Sequence, residues 1–165
     1  MPVRTLLRAV RDVSSGILGV AEAWGGVGLI LMGWRGQLST QRVVGSVVKD
    51  VVRGAKCDMA VLRDRGVGER EVKRVLVPLG GGPHARLALQ LAWEMVKAGA
   101  GSLTALRVLP QTGEADMQVE MDVLRRLVED VLGEIRREVS LSLKRSNSVA
   151  EGVLAECASP AGQAA

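Results

Sequence analysis

Three glycines and a serine, Gly33, Gly36, Gly45 and Ser46, follow the apolar run GLILM at residues 28–32. Placed at the end of a buried strand, such residues could hold an anion. Glycine lets backbone N–H groups close on oxygen atoms, and the N-terminus of the next helix adds the positive end of its dipole. Arg35 and Arg42 are cations in the same stretch. The competing use is structural, since a strand-to-helix turn often needs glycine for positive φ or close packing, and Gly-Ser before a helix is commonly a packing or capping choice. A second cluster, GGGPH at residues 80–84, ends on His84, the only histidine. His84 is either a first-turn helix residue or a ligand contact at the carboxyl edge of a sheet, where α/β proteins bind their ligands. GGGPH is too short for a dinucleotide fingerprint, and no Gly-x-x-x-x-Gly-Lys-Ser/Thr loop is present.

Other chemistry is poorly supported. Cys57 and Cys157 have no second Cys or His at ligand spacing, so neither a zinc site nor a disulfide framework follows; both are expected to be small buried apolar groups, with no base near either in sequence. Glu120, Asp122, Glu129, Asp130 and Glu134 alternate with Arg125, Arg126, Arg136 and Arg137, the pattern of a solvated helix face. No catalytic set and no metal site are expected. The net charge of +4 is spread among acids instead of forming a basic block, and Phe and Tyr are absent beside three Trp, so nucleic acid is not an expected partner.

The elements that would position the glycines alternate. Residues 3–10, VRTLLRAV, read as a short strand and 14–25 as a helix that Ser14 or Ser15 can cap. The run 28–32 is a strand, 42–55 a valine-rich helix that Gly54 can end, and 57–63 a further strand. The charged, glycine-containing stretch 64–71 reads as a linker. Beyond it come a buried strand at 72–80, a helix at 85–99, a strand at 102–109, a long amphipathic helix at about 114–138, a weak strand at 141–145 and a helix at 148–158. Such alternation implies an α/β fold with a parallel sheet and right-handed crossovers. With 165 residues, 47% of them hydrophobic, one domain with one core is expected. The most apolar stretch, residues 13–32, is broken by Glu22 and five glycines, so no transmembrane helix or signal peptide is expected and a reducing cytoplasm is the default.

The first and last segments also resemble each other. Laying Gly16 on Gly152, 136 positions on, sets Arg8 on Lys144, Val13 on Val149, Ile17 on Val153 and Leu18 on Leu154. One strand-helix unit then occurs twice, so the chain reads as one period of a tandem array with a short overlap.

Residues 72–110 resemble the first strand, first helix and second strand of the universal stress protein family, with a strand ending in Val-Pro and a turn ending in Pro-His. Residues 13–63 resemble the second half of that family's fold, through Met32, Gly33, Gly36, Gly45 and Ser46. The resemblance implies a Rossmann-like open parallel five-stranded sheet with helices on both faces, circularly permuted: residues 1–63 as the C-terminal half of one repeat, 64–71 the linker, 72–158 the N-terminal half of the next, closing into a single domain, and 159–165 a tail. It also implies an ATP or AMP site. Gly33, Arg35, Gly36, Gly45 and Ser46 would surround the phosphates, and Val77, Gly80, Gly81 and His84 would lie on the nucleoside side. That motif is degraded, because Gly36 to Gly45 is one residue short and Gly80 replaces the expected acid. The expected role is therefore a non-enzymatic regulatory or interaction module, with an ATP- or AMP-sensing protein as the alternative. The resemblance further implies a homodimer formed through the strand at 57–63. Tandem copies of such domains follow the membrane parts of amino-acid permeases and cation–chloride cotransporters, and GGGPHARLAL looks most like those, which makes an associated transporter the expected partner.

Overall fold

Strand and helix alternate as the apolar pattern requires, and among the described residues five strands form, two in one parallel sheet and three in another. A computed structural model describes residues 3–34, 45–63, 72–99, 101–133 and 138–159. The chain divides into two compact units, Met1–Glu69 and Arg70–Ala165.

The first unit holds α1 (Val13–Trp24), β1 (Leu29–Gly33), α2 (Ser46–Gly54) and β2 (Asp58–Leu62). β1 and β2 pair in parallel, from Leu29 beside Asp58 to Gly33 beside Leu62. Val48, Val51 and Ser14 are its buried side chains. The two helices cross where α2 ends. A Cβ on Gly54 would lie 2.5 Å from Leu18 Cδ1, so this glycine permits the contact as well as ending the helix.

The second unit holds β3 (Arg74–Pro78), α3 (His84–Gly99), β4 (Ser102–Pro110), α4 (Met117–Leu132), β5 (Val139–Ser146) and α5 (Val149–Ala158). Its parallel sheet has the order β3-β4-β5. Val77, Leu103, Ala105 and Val139 pack with Leu89, Ala92 and Val96 of α3 and Leu124 and Val128 of α4. α5 packs on β4 and β5, with Gly152 against Val108. Because successive strand residues face opposite ways, Val108 lies on the reverse of the face carrying Leu103 and Ala105, so helices cover both faces of this sheet.

Four readings change. Residues 3–10 form no strand; among the described residues the segment has no ladder partner, and Val3 and Leu7 are 92% and 96% exposed. The long helix runs only over Met117–Leu132, opened by Asp116 and closed by Gly133 at φ 84°, where glycine avoids the Cβ clash of a positive φ. The "weak" strand is eight residues long because β4 templates it from Leu103 beside Val139 to Pro110 beside Ser146. The serines expected to cap α1 give way to Asp12, whose carboxylate accepts from Ser15 N at 2.7 Å and from the Ser14 hydroxyl at 2.7 Å. Asp12 stands directly before the helix, where its Oδ2 reaches both donors, whereas Ser14 and Ser15 already lie inside the first turn. The linker 64–71 and residues 42–44, 134–137 and 160–165 lie outside the described residues.

Those bonds, led by the one from Ser14, hold the Asp12 carboxyl at about 2, below its ordinary 3.8. A carboxyl that titrates lower when folded adds stability that is complete above 3.8 and disappears as pH falls through about 2. Circular dichroism of the whole chain should therefore show α1 fraying in that window. Asp12→Asn, whose amide oxygen still caps, should keep the helix and remove this acid-dependent loss.

Candidate functional site

Gly33, Gly45 and Ser46 lie at the carboxyl end of the first unit's sheet. Gly33 ends β1 beside Leu62, and Trp34 N donates to Leu62 O at 2.8 Å. Gly45 stands at the N-cap of α2 with φ −60° and, as a glycine, offers no side chain to cap the first N–H groups of the helix. Neither glycine has a positive φ. A Cβ on Gly33 would meet nothing within 4 Å, and one on Gly45 would touch Trp34 Nε1 at an ordinary 3.7 Å. Turn geometry and packing therefore do not demand glycine at either position. Arg35 and Gly36, placed with them on sequence grounds, lie outside the described residues, as does Arg42.

Two residues missed in the sequence complete this end. The Arg63 guanidinium sits 5.3 Å from the centroid of the half-buried Trp34 ring. A cation over an aromatic face at an exposed site contributes about 0.5–1 kcal/mol. The available signal was local: Trp34 falls between Gly33 and Gly36, and Arg63 follows the last residue of β2.

In the second unit the residues assigned to the nucleoside separate in character. Val77 is buried in the core against α3 and α4. Gly80 and His84 are exposed, and His84 opens α3 as its first residue. Gly81 has φ +47°, a conformation that suits glycine, and its missing Cβ would lie 3.8 Å from an Arg107 terminal nitrogen. A cleft of about 340 Å³ opens there, lined by Gly81, Pro83, Arg86, Arg107 and Leu127 among others. Arg107 was also missed, although a lone charge inside the apolar run SLTALRVL was a signal. Its Nε is 2.6 Å from Glu120 Oε2, with both side chains 23% exposed. The two atoms are shielded from water yet not aligned as a hydrogen bond, so charge alone joins them. Arg86 is likewise matched, to Asp130 at 3.2 Å. Both cations beside the Gly81 turn thus already have anions.

A larger cleft, about 390 Å³, lies in the first unit at the opposite end from Gly33 and Gly45, between the ends of α1 and α2 and the start of β2, and is lined by Leu18, Glu22, Gly25, Lys56 and Cys57 among others. Its two charged residues neutralise each other, Lys56 to Glu22 at 3.0 Å. Cys57 is half-buried and Cys157 exposed, not both buried as expected, and both are free thiols. Among the described residues no cluster of His, Cys, Asp or Glu could hold a metal ion, and no helix is long and apolar enough to cross a membrane.

The first unit runs as a capped helix, a strand ending in glycine, a Gly-Ser helix and a parallel strand. Residues 2–63 match the Universal stress protein family. The fold agrees with that match. The crystal structure of a universal stress protein from Archaeoglobus fulgidus DSM 4304 superposes with a TM-score of 0.62 at 23% sequence identity, over 88% of this chain and 51% of that one. The chain thus spans about half the length of that universal stress protein. None of the curated proteins matches.

Proposed function

We propose that this chain is a cytoplasmic, universal-stress-type regulatory and interaction module that does not catalyse a reaction and binds ATP or AMP weakly. The observation that carries the weak-binding part is at the nucleoside side. An exposed glycine, Gly80, stands where the family's acid is expected, and the neighbouring Arg107 is already matched to Glu120. In this reading residues 1–63 and 72–158 are two halves of the family's fold in swapped order, the module pairs with a second copy through β2, and it serves a transporter of the permease or cation–chloride cotransporter type. The family match over residues 2–63 and the fold likeness support the universal-stress part; the turn GGGPHARLAL supports the transporter part.

One observation favours the alternative, an ATP- or AMP-binding sensor: Trp34 Nε1 lies 3.7 Å from the Cβ position of Gly45 at the N-cap of α2, and the Arg63 guanidinium lies over that same ring. Calorimetric titration of the whole chain with ATP and magnesium separates the two. The proposed module gives a Kd weaker than about 100 μM, a binding free energy of no more than about 5.5 kcal/mol. Gly33→Ala and Gly45→Ala should then change it less than about twofold, while leaving the fold intact because neither new methyl clashes. Micromolar binding abolished by those same substitutions would establish the sensor instead.

A further inference from the structure

The internal repeat continues into three dimensions, and one of its copies lacks something the other has. α1 and α5 begin 136 positions apart, at Val13 and Val149. Their caps, Asp12 and Ser148, are spaced the same way and accept from Ser15 N and Glu151 N. Gly16 N reaches Asp12 O and Gly152 N reaches Ser148 O, each at 3.1 Å. A Cβ on Gly152 would lie 3.3 Å from Ser146 Cβ, and one on Gly16 would lie 3.3 Å from Val10 Cβ. Arg8 passes within 3.8 Å of the Cβ position of Gly19, as Lys144 crosses α5 to reach Glu156 at 2.8 Å. The end of residues 3–10, at Arg8 and Val10, therefore meets α1 as the end of β5, at Lys144 and Ser146, meets α5.

The two copies differ in their other neighbour. β5 is hydrogen-bonded along β4, and its residues Val139, Leu141 and Leu143 pack into the core with α3 and α4. Their counterparts are Val3, Thr5 and Leu7, and both apolar ones are almost fully exposed. Leu6 and Val10, which alternate with them on the α1 side, are only about half exposed at 50% and 48%. The notch at Gly152 receives the Val108 methyls of β4, at 2.7 and 2.9 Å from the Cβ position; the notch at Gly16 receives the segment's own Val10 methyls, both at 3.0 Å. Among the described residues, one apolar face and one row of backbone groups are left without the strand and helices that complete them elsewhere in the same chain.

We propose that residues 3–10 with α1 are a docking surface for the β3-α3-β4-α4 half of another repeat of this fold. That partner adds its β4-type strand in parallel along residues 3–10 and lays its α3- and α4-type helices over Val3 and Leu7. The register of β4 on β5 carries over by the repeat, setting Val3 beside the residue equivalent to Leu103, Leu7 beside that of Arg107 and Val10 beside that of Pro110. The inference rests on the repeat and not on the nucleotide reading, so a failed ATP titration leaves it standing.

The test supplies that half directly, by joining a copy of residues 72–138 ahead of residue 3 of the otherwise unchanged chain. Hydrogen exchange at residues 4–10 should slow at least about tenfold, toward the rates of residues 140–146, because a paired amide exchanges only when its ladder opens. Leu7→Arg in the extended chain should return those amides to their fast exchange. A synthetic peptide of residues 101–111, added to the original chain, offers the strand alone and should slow the same amides measurably. Unchanged exchange at residues 4–10 in both experiments, or slowing that Leu7→Arg does not reverse, overturns the proposal. Slowing confined to residues 139–146 overturns it as well.

Discussion

Leu103→Ala should lower the stability of the second unit by about 2–5 kcal/mol, the range for deleting a large aliphatic side chain from a site that cannot collapse around the hole. Leu103 is fully buried at the start of the central strand, set in register between Val75 of β3 and Val139 of β5, and belongs to the cluster closed by α3 and α4. Both flanking strands are tied to β4 by parallel ladders, which limits how far the walls can move inward. Urea denaturation followed by far-UV circular dichroism should give a lower midpoint with an unchanged slope. A loss below about 0.5 kcal/mol, the size of a surface substitution, would show that Leu103 is not in this core.

Gly101→Ala should cost about 1–3 kcal/mol by overpacking, although it adds a single methyl group. A Cβ at Gly101 would lie 2.8 Å from Lys73 O and 2.9 Å from Val72 O, both backbone atoms. Lys73 O also accepts from Ser102 N at 2.9 Å, so it cannot retreat without loosening the first bond between β3 and β4. Gly99, whose Cβ would meet Val72 O at 3.0 Å, shows the same close passage of the end of α3 over the start of β3. Gly33→Ala, with open space for its methyl, is the matched control and should leave the denaturation midpoint nearly unmoved. Equal midpoints for the two variants would refute the steric account.

These contrasts show where the sequence was readable. The helices over residues 84–99 and 149–158 and the strands in 74–78 and 102–110 follow from apolar spacing, because a buried face imposes its own period on the chain. Asp12 was overlooked as a cap because Ser14 and Ser15 stand nearer the apolar face. Position decides the competition, because Asp12 precedes the helix and its Oδ2 alone accepts from both serines. The glycines of the candidate site were legible as a pattern but not in purpose. Gly33, Gly45 and Gly101 look alike in one letter, yet the first two face room for a side chain and the last faces backbone oxygens that exclude one.

Residues 3–10 and 139–146 make the same point about strands. Their sequences are similar enough to align, and α1 and α5 hold them in the same way. Only the second is a strand, because a strand is stabilised by a neighbour and β4 lies beside one copy alone. From the sequence came the alternation of elements, the repeat, the family resemblance and the identity of the core faces, all of which depend on local periodicity. Tertiary structure decided which segments acquired hydrogen-bonding partners, which glycines are obligatory, and that Arg107 is spent on Glu120 and Arg63 lies over Trp34. Those outcomes depend on contacts between residues far apart in the chain, and no local pattern encodes the distance between them.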